Sequence, residues 1–341
     1  MTSYDKKINS FFKIWLSSTF VLVFIMIIVG GLTRLTNSGL SITEWELFSG
    51  ILPPLNRDEW DNYFTLYKEI PQYQLVNNTI SLSEFKIIFY WEYFHRILGR
   101  LIGLFFLIPL FYFYFTKKIS QKYLLVCSLV MFLIILQGVI GWYMVKSGLI
   151  NNVTVSHYRL SLHLIGAFFI ISILFWLILI LKNKKYKFFF TNKSSNYIFY
   201  FLFILIFSQI IIGAFVSGLD AGKIYQNWPL MGNSYFPNDL NIKKIDDLFL
   251  FDNHSLVQFY HRNIAYLITF YILGVACFIY NKKNIELNKY LYLLIFFLFL
   301  QIGLGIMTLL TGLNIYLASL HQICSLLLTL SAINLYYNYI N

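Results

Sequence analysis

The sequence predicts an all-α membrane protein: eight transmembrane helices forming two four-helix bundles related by a pseudo-two-fold axis. Three observations predict it: an apolar, aromatic composition, eight long hydrophobic runs, and a set of motifs that occurs twice. Of 341 residues, 58% are hydrophobic and only 12% charged, with 35 Phe and 26 Tyr. A soluble core has no room to hide so much apolar surface.

A helix that crosses a bilayer needs about 20 apolar residues. Runs of that kind occur near 14–33, 87–115, 123–146, 158–181, 197–217, 256–280, 290–311 and 315–338. The first follows Lys6, Lys7 and Lys13. It is longer than a signal-peptide core and no small-residue cleavage site follows, so an anchored helix is expected, with no Arg-rich presequence before it. Loops of about 50 and about 38 residues follow the first and fifth runs. The other connections are short.

The net charge of +11 could mean nucleic acid, but its distribution excludes that. Fourteen of the 26 Lys and Arg fall in four short places: Lys6, Lys7 and Lys13; Lys117, Lys118 and Lys122; Lys182, Lys184, Lys185, Lys187 and Lys193; Lys282, Lys283 and Lys289. They mark alternate connections, the positive-inside pattern, which puts both termini in the cytoplasm and the two long loops outside. The three cysteines, Cys127, Cys277 and Cys324, fall within hydrophobic runs, and no CxxC or CxxCH is present. Covalent c-type haem attachment is excluded.

The two halves can be laid on each other. Gly30 to Gly39 matches Gly213 to Gly222, His95-Arg96 matches His261-Arg262, Leu136 to Gly141 matches Leu300 to Gly305, and His163 matches His321. The offsets of 183, 166, 164 and 158 place insertions mainly in loops. Four helices per unit leave both halves running the same way, which implies a pseudo-two-fold axis along the membrane normal. The expected division is residues 1–185 and 186–341.

His95, His163, His261 and His321 each fall about six residues into a run entered from outside, roughly 9 Å below the boundary. Intramembrane histidines are costly without a partner and are functional candidates. Two per half, at one depth on two helices, suit axial ligands on opposite faces of a porphyrin. Zinc fits less well, because a closed site wants three or four ligands. His157 and His254 are expected at the interface or in a loop.

Glu92 lies three residues before His95 on the same helix face, and its counterpart is Gln258. One reading is an i,i+4 ion pair with Arg96. The other starts from Arg262, which persists beside no acid: a carboxylate at one pair alone points to chemistry there. Arg34, Arg96, Arg100 and Arg262 lie near outer helix ends, where they could hold haem propionates or snorkel to the interface.

The stretches GGLTRLTNSGLSITEW (Gly30 to Trp45), EFKIIFYWEYFHRILGR (Glu84 to Arg100), QGVIGWYMVKSGL (Gln137 to Leu149), VSHYRLSLHL (Val155 to Leu164), GAFVSGLDAGKIYQNWPLM (Gly213 to Met231) and VQFYHRNIAY (Val257 to Tyr266) resemble the haem A synthase family over roughly 15–335. The resemblance implies an oxidoreductase that turns the C8 methyl of haem O into a formyl group, giving haem A for terminal oxidases. Two hydroxylations and loss of water would achieve this. It implies that His95 and His163 flank haem O, with Glu92 as the key acid, and that His261 and His321 hold a resident haem B; the propionate reading assigns Arg34 and Arg96 to the first haem and Arg262 to the second. Some relatives carry a cysteine pair in the first outer loop. This chain has none, as in the branch shared by proteobacteria and mitochondria, so a bacterial inner membrane is expected. An electron donor, the haem O-producing enzyme and a second copy of the chain are compatible partners.

Two other readings compete. One is a quinol-linked b-type cytochrome, disfavoured by both sites lying near one face. The other is a haem transporter, which leaves Glu92 unexplained.

Overall fold

The computed structural model describes residues 10–44, 49–151, 153–282 and 284–340; Lys6, Lys7, Trp45 and Lys283 lie outside the described residues. Among the described residues, eight helices are long and apolar enough to cross a membrane. They are α1 (Ser10–Leu35), α4 (Leu82–Thr116), α5 (Gln121–Asn151), α6 (His157–Asn183), α7 (Tyr197–Gly218), α8 (His254–Asn281), α9 (Ile285–Leu310) and α10 (Ile315–Tyr339). Each coincides with a hydrophobic run to within about five residues at its ends. Two further helices, α2 (Arg57–Lys68) and α3 (Pro71–Leu75), lie in the segment after α1.

The helix starts follow local capping chemistry. The side chains of Asn56, Asn253, Asn284 and Asn314 accept main-chain N–H groups at the starts of α2, α8, α9 and α10. At α4, Ser81 and Glu84 form a reciprocal capping box, with Ser81 N donating to Glu84 Oε2 at 2.7 Å. That box starts α4 before its apolar run begins. His95 therefore sits more than three turns into its helix, whereas His163, His261 and His321 sit about two turns into theirs. The single depth expected from the runs is not a single distance from the helix starts.

The chain forms two compact units, one ending at Leu174 and the other beginning at Phe175. In the first, Trp15 of α1 donates its indole N–H to Phe105 O of α4 at 3.1 Å and packs on Phe106 and Phe113. The segment after α1 is folded: Leu40, Ile42, Trp60, Tyr67 and Ile70 bury themselves against Phe85 and Phe89 at the start of α4. In the second unit, Phe189, Phe199, Tyr200 and Phe203 surround Tyr336 of α10. Trp176 joins them, against Phe189, Tyr336 and Tyr337, with its N–H donating to Lys187 O at 3.1 Å. This packing assigns the end of α6 to the second unit. The division between the compact units falls inside α6.

Candidate functional site: two histidine pairs

α4 and α6 bring His95 and His163 together in the first unit, with ring centroids 6.3 Å apart and planes at 54°. α8 and α10 bring His261 and His321 together in the second, 6.4 Å apart and at 72°. All four rings are half-buried. Among the described residues no group of three or more His, Cys, Asp or Glu gathers as a metal site, so these remain two-ligand sets.

The spacing can be tested against a bound metal. Metal–imidazole bonds are about 2.0–2.1 Å long, and about 1.2 Å separates the nitrogen from the ring centre, so an iron between two imidazoles sets the centroids about 6.4–6.6 Å apart. The centroid separations of both pairs, 6.3 and 6.4 Å, lie close to that distance, so each pair could hold one iron between its rings.

Each ring is admitted by a glycine on the preceding membrane helix. A Cβ at Gly30 of α1 would lie 3.2 Å from His95, one at Gly141 of α5 would lie 3.4 Å from His163, one at Gly213 of α7 would lie 3.1 Å from His261, and one at Gly305 of α9 would lie 2.8 Å from His321. A side chain at Gly30, Gly213 or Gly305 would press on the ring, while one at Gly141 would meet His163 at ordinary contact distance. The sequence repeat had paired these glycines without assigning them to histidines.

Glu92 is 3% exposed and its carboxylate meets four donors. Oε1 accepts from Arg96 Nη2 at 2.7 Å and Nε at 3.1 Å; Oε2 accepts from Ser41 Oγ at 2.8 Å and Ile42 N at 2.9 Å. Arg96 also donates to Ile42 O and Glu44 O. Together they fasten the segment after α1 onto α4. Gln258 and Arg262 do the same on α8, but there the loop offers a carbonyl. Gln258 Nε2 and Arg262 Nη2 both donate to Tyr225 O, at 2.8 and 3.2 Å, and Arg262 Nη1 donates to Leu230 O. An acid stands where the loop presents N–H and O–H; an amide stands where it presents C=O. The Glu/Gln asymmetry thus has a packing cause, which the sequence does not display because the loop atoms lie far away along the chain.

Arg34, at the end of α1, donates to Asn37 Oδ1 at 2.8 Å, and Arg100 donates to Gly50 O at 2.9 Å. His157 is buried at the first position of α6, its ring against Tyr158, and His254 is exposed at the first position of α8. Neither belongs to the two pairs. Cys127 and Cys324 are buried, Cys277 is exposed, and all three are free.

Against known proteins, the pattern of the cytochrome oxidase assembly protein family matches residues 13–333. The chain belongs to that family. Relatives of this cytochrome oxidase assembly protein family member align along nearly their whole length. A haem A synthase of Pelagibacter ubique is 52% identical over 322 residues, 93% of each chain. A haem A synthase of Rickettsia bellii is 41% identical, covering 92% of this chain and 94% of its own. A haem A synthase of Flavobacterium psychrophilum is 40% identical, covering 94% of this chain and 96% of its own.

Proposed function

We propose that this chain oxidises the C8 methyl group of haem O to a formyl group, yielding haem A for terminal oxidase assembly. The observation that carries the reading is one geometry built twice: two imidazoles at iron-bridging separation in each unit, 6.3 and 6.4 Å between ring centres. The likeness to haem A synthases over more than nine-tenths of the chain supports the reaction.

In this reading residues 1–185 form the substrate half and residues 186–341 the cofactor half. His95 and His163 flank the iron of haem O, and His261 and His321 hold haem B. When bound, haem B supplies electron transfer for the oxidation at the first site. The chain's own groups position and balance charge. Arg34 and Arg96 serve the propionate edge of the substrate, and Arg262 does so for the cofactor, with Arg96 and Arg262 held by loop carbonyls. Glu92 acts at the first pair as a fixed carboxylate that orders the loop over it and opposes positive charge developing nearby. The protein lies in a bacterial inner membrane with both termini cytoplasmic, receives electrons from a donor, and works beside the enzyme that makes haem O.

Haem analysis of the purified protein tests the assignment of sites. His261→Ala and His321→Ala should each lower b-type haem content, while His95→Ala and His163→Ala should spare haem B and abolish retention of added haem O. Full haem B in the His261/His321 double variant would overturn it.

A further inference from the structure

Each long loop returns to a histidine-bearing helix of its own unit and lies along it. In the first unit the Tyr93 hydroxyl donates to Ile51 O at 2.6 Å, and Arg100 Nη1 donates to Gly50 O at 2.9 Å. In the second the Tyr260 hydroxyl donates to Leu248 O at 2.8 Å, and the ring of Phe251 packs on Tyr260 and on Phe215 of α7. Trp228 of the same loop donates its indole N–H to the Tyr266 hydroxyl at 3.0 Å. The tied positions, 93 and 100 on α4 and 260 and 266 on α8, bracket His95 and His261. Both loops therefore descend past the point where the apolar runs begin. Tyr93 lies six residues beyond position 87 and Tyr260 four beyond position 256, about 9 and 6 Å along the helix.

The turns held at these ties present apolar side chains outward. Ile51, Leu52 and Leu55 in the first loop, and Ile245, Phe249 and Leu250 in the second, are each at least half exposed. Residues 49–56 contain no charged side chain. In the second turn the Asp247 carboxylate folds back to accept from Lys243 N and Lys244 N at 2.8 and 2.9 Å. Lys243, Lys244 and Asp246 stay exposed at its edge, where lipid headgroups and water can solvate them. Deeper on the same helix faces lie Leu104, eleven residues beyond Tyr93, and Leu267, seven beyond Tyr260. Both are exposed on helices long and apolar enough to span a bilayer, so they face lipid. The outward side chains of the two turns continue that lipid-facing surface toward the headgroups.

We propose that the turns at 50–55 and 245–250 are seated in one leaflet of the bilayer, their six apolar side chains among the glycerol and upper acyl groups of phospholipids. Surface elements with one apolar side settle about 5–10 Å into that boundary, the depth at which Tyr93 and Tyr260 hold these two. Both loops leave odd-numbered membrane crossings, so both meet the same leaflet. The seat bears on both histidine pairs. The first loop supplies Ser41, Ile42 and Glu44 to Glu92 and Arg96, and the second supplies Tyr225 and Leu230 to Gln258 and Arg262. Lipid thereby presses each loop onto the helix it fastens. The seat is independent of what the histidines bind.

The test places a bimane label on each turn of the full chain in phosphatidylcholine nanodiscs. Leu52→Cys and Phe249→Cys are made in a Cys277→Ser background, whose other cysteines, Cys127 and Cys324, are buried. Leu267→Cys marks lipid, and Asn62→Cys, exposed on α2, marks water. Lipid brominated on its acyl chains should quench the labels at 52 and 249 as it does the one at 267, and iodide should quench only the label at 62. Iodide quenching at either turn without bromine quenching would put that turn in water and overturn the paired seat. Quenching by neither would mean that protein, such as a second copy of the chain, covers the turn, and would overturn it equally. Ile51→Cys and Leu250→Cys provide a second label at each turn should a first variant fail to insert.

Discussion

Replacing Glu92 by Gln swaps one of four acceptor sites' worth of charge for an amide, and the structure says where the damage falls. The amide oxygen can keep both Arg96 donors, now at 2.7 and 3.1 Å. The amide nitrogen then faces Ser41 and Ile42. The Ser41 hydroxyl can rotate to accept, but Ile42 N–H, 2.9 Å from the carboxylate, cannot. One buried donor is stranded, which costs about 1–3 kcal/mol. The remaining bonds lose their charge assistance, and removing one member of a buried ion pair costs about 3–5 kcal/mol in total. At 1.4 kcal/mol per factor of ten, local opening of the segment near Ile42 becomes about a hundredfold or more easier. Amide hydrogen exchange at Ile42 in detergent or nanodiscs reads this directly, and haem A yield should fall with it. Gln258→Glu should loosen Tyr225 in the same way, because it puts a carboxylate against a carbonyl. Unchanged Ile42 protection together with lost haem A would refute the loop-fastening account and leave Glu92 a purely chemical acid.

Gly305→Ala should displace His321, since a Cβ there would lie 2.8 Å from the ring; a bound haem B with wild-type spectrum would contradict the contact. Ser41→Ala should weaken the same segment mildly, by about 1 kcal/mol, and hydrogen exchange at Ile42 should rise less than in Glu92→Gln. Cysteines introduced at Asn62 and Asn183 should label oppositely in intact cells, with an impermeant maleimide reaching position 62 only; the reverse pattern would invert the orientation. The Cys127→Ala, Cys277→Ser and Cys324→Ala triple variant should still form haem A, and complete loss with normal insertion would reveal a thiol role.

The eight helices were legible because a bilayer imposes a length and a composition that eight separate runs satisfy. The four histidines were legible because polar residues recur at matched places in apolar helices. Contacts that join distant parts of the chain were not. The folding of residues 57–75 into α2 and α3 rests on Trp60 and Tyr67 burying against Phe85 and Phe89, although Asn56 and Glu59 carried a local capping signal. The start of α4 was set by the Ser81–Glu84 box rather than by hydropathy. Glu92 stands out from the sequence as an asymmetry with its counterpart Gln258. Only the loop atoms opposite, Ile42 N–H in one unit and Tyr225 C=O in the other, show why the two residues differ. The glycine–histidine contacts were hidden for the same reason. Matching spacings identified the glycines as equivalent but not what they face.

The measurement that bears most directly on the central claim is the haem extracted from cells that make haem O but no haem A of their own, with and without this gene. The account predicts haem A with the wild-type gene, and haem O without haem A when His95 or His163 is replaced. Haem B and haem O alone in cells shown to contain the inserted wild-type protein with its haem B would contradict it.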